Sequence, residues 1–202
     1  VKKEEKKDSN SSQYNDTRII AVASGKGGVG KTNLSVNLGY ALKNFGEKVL
    51  LMDADIGMAN VDILMGLTST YTLKHVMEGK CSIEDAVVEG PRGLNILAGI
   101  SGEEDFMNTS IDEVRRLLDA SSHLQDNYDI IIIDIGAGAH RDVLNFIMAA
   151  DESLIVLTPE PTAIMDAYSL LKILSKHDFN SDIGLVVNMV DTNNEGKDVI
   201  ER

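Results

Sequence analysis

The stretch Gly25-Lys-Gly-Gly-Val-Gly-Lys-Thr32 restricts the chain to folds that place a glycine-rich turn between a strand and a helix. Gly25, Gly27 and Gly30 fit G-x-G-x-x-G, the turn that lets backbone approach a dinucleotide pyrophosphate. The same stretch fits G-x-x-x-x-G-K-T. In that pattern the backbone of Gly25, Lys26, Gly27, Gly28, Val29 and Gly30 surrounds phosphate, Lys31 brings an ammonium to the β/γ-phosphates, and Thr32 brings a hydroxyl to Mg²⁺. A dinucleotide turn asks for neither Lys31 nor Thr32. Lys26 is required by neither pattern.

The flanks supply the strand and the helix. Arg18–Ala23 is a short apolar run of the kind buried on both faces of a parallel sheet. Beyond the glycines, Leu34, Leu38, Ala41, Leu42 and Phe45 recur at helical spacing and predict the inner face of a helix that Gly46 stops. Further strands are expected at Lys48–Met52, Leu94–Ala98, Ile130–Asp134, Ser153–Thr158 and Ile183–Met189. Between them, Ser82-x-x-Asp85 resembles a capping box, Ser110-x-x-Glu113 opens a helix with Ile111, Val114, Leu117 and Leu118 inward, and another helix runs over Thr162–Lys176. This alternation predicts a doubly wound, mainly parallel α/β sheet with helices on both faces and ligands at the C-terminal strand edges.

With 202 residues, 43% of them apolar, the chain supports one core. Val1–Thr17 holds four lysines and four acids with little to bury, and is expected to be a disordered polar arm before a domain over 18–202. Lys197–Arg202 reads as a helix beginning after the sixth strand, so the domain is expected to be truncated at its C-terminal end. The net charge of -13 argues against broad nucleic-acid or anionic-lipid surfaces, which need clustered lysine and arginine. Cys81 stands alone and no 18-residue apolar run occurs, which points to the cytoplasm. His75, His123, His140 and His177 show no transition-metal spacing.

Carboxylates at strand ends complete the pattern. Asp134 closes an apolar strand, where a Walker B acid holds Mg²⁺ directly or through water. Asp53 and Asp55 form D-x-D at the tip of the second strand, with both side chains on one side. Two anions facing a triphosphate repel it unless metal or water lies between, so Asp53 suits the Mg²⁺ shell and Asp55 the attacking water.

Lys26-Gly-Gly-Val-Gly-Lys-Thr32 resembles the deviant Walker A motif of the MinD/ParA family, marked by an additional lysine at the position of Lys26. The resemblance runs from about Arg18 to Val190. It implies a P-loop ATPase using ATP/ADP and Mg²⁺, with Lys31 and Thr32 serving their own subunit's nucleotide. Lys26 then reaches the phosphate of the opposite subunit in an ATP-bound homodimer, Asp55 orients water in switch I, and Asp134 belongs to the Walker B/switch II element. Asn188 matches the position that reads adenine in this family, and Asp166 matches the acid that approaches the signature lysine and helps form the partner face.

Asp53-Ala-Asp-Ile-Gly-Met-Ala-Asn-Val-Asp62, Asp134-Ile-Gly-Ala-Gly138 and Thr158-Pro-Glu-Pro-Thr162 resemble the FlhG-type branch, which controls flagellar number and placement; Gly138 ends its switch segment. That branch carries an N-terminal motif acting on an FlhF-type GTPase and a C-terminal amphipathic helix that binds membrane. Neither is visible in this sequence. The branch also implies flagellar basal-body partners. Three other readings stay open: a MinD-type regulator of the division site, a metabolic P-loop synthetase or ligase, and a non-hydrolysing interaction module.

Overall fold

A computed structural model describes residues 17–55, 61–99, 114, 127–177 and 181–201. The polar arm before Thr17 and the helix expected from Ser110, apart from Val114, lie outside these residues. Thr17, placed by sequence in the arm, is buried, and its hydroxyl donates to the Tyr128 carbonyl at 2.8 Å.

The strands are β1 (Arg18–Ser24), β2 (Val49–Ala54), β3 (Val87–Glu89), β4 (Asn95–Leu97), β5 (Ile130–Ala137), β6 (Glu152–Leu157) and β7 (Asp182–Val187). The helices are α1 (Lys31–Asn44), α2 (Val61–Met65), α3 (Leu73–Met77), α4 (Ile83–Ala86), α5 (Arg141–Ala149), α6 (Pro161–Leu174) and α7 (Asn193–Glu201). One sheet runs in the order β3-β4-β2-β5-β1-β6-β7. Among the described residues every pairing is parallel except β3 with β4.

The alternation along the central strands divides the core in two. Ala21, Leu50, Met52, Ile131 and Ile133 pack on one face with Phe146 of α5 and Leu170 and Leu174 of α6. Ile20, Val22, Leu51 and Ile132 pack on the other with Val36 of α1. Each fully buried isoleucine of β5 contributes roughly 1.5–3 kcal/mol by leaving water. This double burial explains why β5 reads as an unbroken apolar run rather than an alternating one.

The inner face of α1 differs from the expected one. Ala41 and Phe45 are exposed, Phe45 at 86%, while Lys31, Ser35, Val36 and Gly39 are buried. Leu34, Leu38 and Leu42 pack at the margin. The rotation follows from the loop: α1 begins with Lys31 and Ser35 turned onto Asp134 of β5, which fixes the rest of the stripe. Gly39 then lets the helix come close, because a Cβ there would lie 3.2 Å from both Leu94 methyls.

Strand β3 was not expected. Val87-Val88 ahead of Gly90-Pro91 is its sequence signal, two branched residues followed by a turn. The Ser82 capping box is present: Ser82 Oγ accepts the Asp85 N–H and Asp85 Oδ2 accepts the Ser82 N–H, both at 3.2 Å. The helix it opens is only four residues long and runs into β3. Helix α7 begins at Asn193, before the expected Lys197, with the Thr192 hydroxyl accepting the Glu195 N–H at 3.2 Å.

Candidate functional site

The C-terminal ends of β1, β2 and β5 meet at the centre of the sheet. Register places Asp134 beside Val22 on one side and Asp53 on the other. The glycine loop leaves β1 at this point and enters α1 at Lys31.

Close packing calls for glycine at 25, and a positive φ calls for it at 28 and 30. A Cβ on Gly25 would lie 2.4 Å from the Asp166 backbone, so α6 can pack against the loop only there. Gly30 has φ +90, and a Cβ on it would lie 2.4 Å from Asn188 Nδ2. Gly28 has φ +80, while nothing stands within 4 Å of a Cβ built on either Gly27 or Gly28. Those two peptides therefore border open space. Beside them, the first N–H groups of α1 have no intrahelical acceptor, and the positive end of its dipole faces the same way. This is an anion cradle.

The loop is held at both ends. Ser24 Oγ donates to the Lys26 carbonyl at 2.9 Å, and Asn188 Nδ2 donates to the Val29 carbonyl at 2.8 Å. Val29 itself is buried in the core. Asn188, expected to read adenine, thus spends one of its two amide N–H groups on the loop. The Gly138 N–H donates to the Ser24 carbonyl at 2.8 Å, with φ +109 at Gly138, and ties the end of β5 to the start of the loop.

Lys31 Nζ lies 3.0 Å from Asp134 Oδ1, and Ser35 Oγ lies 2.9 Å from the same oxygen. Lys31 is 7% exposed and Asp134 1%. Thr32 follows in the first turn of α1, half-buried. The lysine expected at phosphate and the acid expected at Mg²⁺ therefore touch, and Ser35, which sequence reasoning missed, joins them. No sequence signal marked it, because the expected apolar stripe ran along another face of α1.

Asp53 is buried, with Oδ1 accepting the Asp55 N–H at 3.1 Å and Oδ2 accepting the Val61 N–H at 2.9 Å. It anchors both flanks of residues 56–60, a positioning task not foreseen for a residue expected in the Mg²⁺ shell. Asp55 is half-buried beside Gly136, where a Cβ would come within 3.1 Å of Asp55 Oδ1. Burial pushes the Asp55 carboxyl up, Lys31 pulls it back, and the charges of Asp134 and Asp142 add to the upward push.

Lys26 turns away from this centre. Its Nζ lies 2.7 Å from Glu160 Oε2 and 2.9 Å from Thr162 Oγ1. The acid on the signature lysine is thus Glu160, not Asp166, whose backbone instead touches Gly25. Pro161 at the first position of α6 fixes where the helix starts, and that start places Glu160 just before it, above the loop.

Among the described residues no three His, Cys, Asp or Glu side chains could together hold a metal ion. Mg²⁺ asks for less, since one or two carboxylates with substrate phosphates and waters suffice. Asp134 of β5 and Thr32 in the first turn of α1 fit that chemistry by residue type.

A parallel sheet with a glycine loop at its central strand, a lysine opening the following helix and an acid on the adjacent strand defines a P-loop nucleotide-binding fold. Residues 17–185 match the family model AAA_31, an AAA domain, and the chain belongs to this family as a MinD/ParA-type ATPase. It is 42% identical over 185 residues to the antiactivator FleN of Pseudomonas aeruginosa, covering 92% of this chain and 66% of FleN. It is 38% identical over 187 residues to the flagellum site-determining protein YlxH of Helicobacter pylori, covering 93% of this chain and 63% of YlxH. The chain therefore spans just under two thirds of the length of both. A solved structure of the septum site-determining protein MinD of Pyrococcus horikoshii, complexed with Mg-ADP, superposes with a TM-score of 0.77 at 29% identity, covering 91% of this chain and 77% of that one.

Proposed function

We propose that this chain is a Mg²⁺-dependent ATPase switch that pairs with a second copy in its ATP state and governs where and how many flagella are built. One observation carries the nucleotide part: the Lys31 ammonium and the Asp134 carboxylate meet at the base of a glycine cradle whose Gly27 and Gly28 border open space. MinD of P. horikoshii holds Mg-ADP on the same fold. The flagellar part is supported by the likeness to FleN and YlxH.

On this reading the residues divide the work. The backbone from Gly25 to Gly30 and the Lys31 ammonium bind ATP phosphates, and the Asn188 amide faces the base. Thr32, Asp134 and Asp53 line the metal side. Magnesium, when bound, supplies positive charge that neutralises the phosphates. Asp55 orients the water. Lys26 leaves Glu160 and Thr162 to reach the phosphate of the paired copy, and Asp166 and Gly138 lie on the face that changes. A cation delivered across such an interface is worth about 10³–10⁵ in rate in the best-studied phosphoryl-transfer systems. Hydrolysis is thereby tied to pairing. Further expected contacts are an FlhF-type GTPase, basal-body components, and membrane through a C-terminal amphipathic helix.

Size-exclusion chromatography with light scattering tests the switch in ADP, ATP and a non-hydrolysable analogue. The expected result is a monomer in ADP and a dimer in the analogue. A monomer in all three conditions would leave a metabolic P-loop enzyme as the better reading.

A further inference from the structure

Ser35 is fully buried on the inner face of α1, and its hydroxyl has two acceptors within reach. Asp134 Oδ1 lies 2.9 Å away and the Lys31 carbonyl oxygen 3.1 Å away. A serine hydroxyl carries one proton, so it donates to one of these at a time. Asp134 Oδ1 also accepts from Lys31 Nζ at 3.0 Å. Two donors from one helix, one turn apart, thus share a single carboxylate oxygen.

That sharing matters when the lysine moves. An ammonium that turns toward phosphate leaves a buried carboxylate short of a donor, which is costly in a dry site. The Lys31 carbonyl, in contrast, is the natural acceptor of the Ser35 backbone N–H, so it loses little when the hydroxyl proton goes elsewhere. Serine is also a poorer helix former than alanine, so a fully buried helix position offers no local reason for it. The acceptor on β5 does.

We propose that Ser35 is a positioning residue that commits its hydroxyl proton to Asp134 when Lys31 turns to phosphate, keeping the carboxylate in place on the metal side. The step moves no proton between groups. The Ser35 O–H, shared until then between the Lys31 carbonyl and Asp134 Oδ1, settles on Asp134 Oδ1, and the Lys31 N–H moves from Asp134 to phosphate. This rests on the nucleotide reading above, and it assigns to a side chain outside the glycine loop the link between phosphate contact and readiness for metal.

Calorimetric titration of ADP, with Mg²⁺ and in EDTA, tests it on the parent, Ser35→Ala, Ser35→Thr and Lys31→Ala, each checked for folding by circular dichroism. Ser35→Ala is expected to bind ADP in EDTA as the parent does and to lose about tenfold of the affinity that Mg²⁺ adds, the effect of one hydrogen bond to a charged group. Ser35→Thr, which keeps the hydroxyl, should recover most of it. An undiminished Mg²⁺ gain in Ser35→Ala overturns the proposal, and so does an equal loss with and without Mg²⁺, which marks a purely structural role. If the extra methyl of threonine is not accommodated, Ser35→Cys, with a weaker donor, must fall between serine and alanine; a value equal to serine overturns the proposal. Parental ADP affinity in Lys31→Ala would bring down the nucleotide reading itself, a separate outcome from failure of Ser35 alone.

Discussion

Asp55 illustrates how burial sets the ionisation of a single carboxylate. Its pKa in the fold is raised above 3.8, first by burial and then by Asp134 and Asp142 against the pull of Lys31. A raised carboxyl is favoured protonated in the fold, so its contribution is fully present below the unfolded pKa and is lost as pH rises through the folded one. At pH 7 the charged form therefore costs the folded state. Asp55→Asn is expected to raise the thermal midpoint at neutral pH, with the gain shrinking as pH falls toward 3.8, and, on the function proposed above, to slow ATP turnover. Melting curves across that range decide it; an unchanged or lower midpoint at pH 7 would show that burial does not strain this group. At this scale the glycine loop, Lys31, Thr32 and the strand-end acids were legible because each is fixed by local pattern. Glu160 and Ser35 were not. Both depend on how distant elements cross: the start of α6 over the loop for one, and the docking of α1 against β5 for the other.

Helix α1 shows where periodicity falls short. Its apolar residues were all visible, yet the buried stripe is rotated so that Lys31 and Ser35 face Asp134, and Phe45 is left in solvent. Apolar spacing measures only the hydrophobic part of packing, and here a buried ion pair sets the angle. Gly39 lies on the true inner face, against Leu94 and Ile132. Gly39→Val should therefore overpack this contact and destabilise the fold by about 1–3 kcal/mol, seen as a lower urea midpoint with the slope retained. A neutral effect would mean that α1 can shift outward without cost. Elsewhere, Thr192-x-x-Glu195 satisfied the capping-box pattern and marked the start of α7, while the expected start relied on later residues. Strand β3 escaped because only Val87 and Val88 of its three residues are apolar, whereas the equally short β4 lies within the longer, mostly apolar run Leu94–Ala98.

For the whole molecule, the doubly wound architecture followed from strand and helix alternation, and the edge arrangement did not, since one antiparallel strand changes no periodicity. Among the described residues no helix is long and apolar enough to cross a membrane. With a net charge of -13, the chain as it stands is expected to stay in the supernatant with anionic liposomes in ADP and in ATP alike. Co-sedimentation in either state would mean that this chain carries an anchor of its own.

The hold on Lys26 has a kinetic consequence. Its ion pair with Glu160 is open to solvent, with side-chain exposures of 38% and 65%. Pairs of this kind are worth about 0.2–1 kcal/mol, close to thermal energy, and salt weakens them further. The lysine therefore lets go many times in the interval between two molecules meeting. On the dimer reading, assembly is governed by collision, so the reciprocal of its half-time should climb in direct proportion to protein concentration and keep climbing. A rate that levels off would reveal a slow internal step, and the weak tether described here could not be its source.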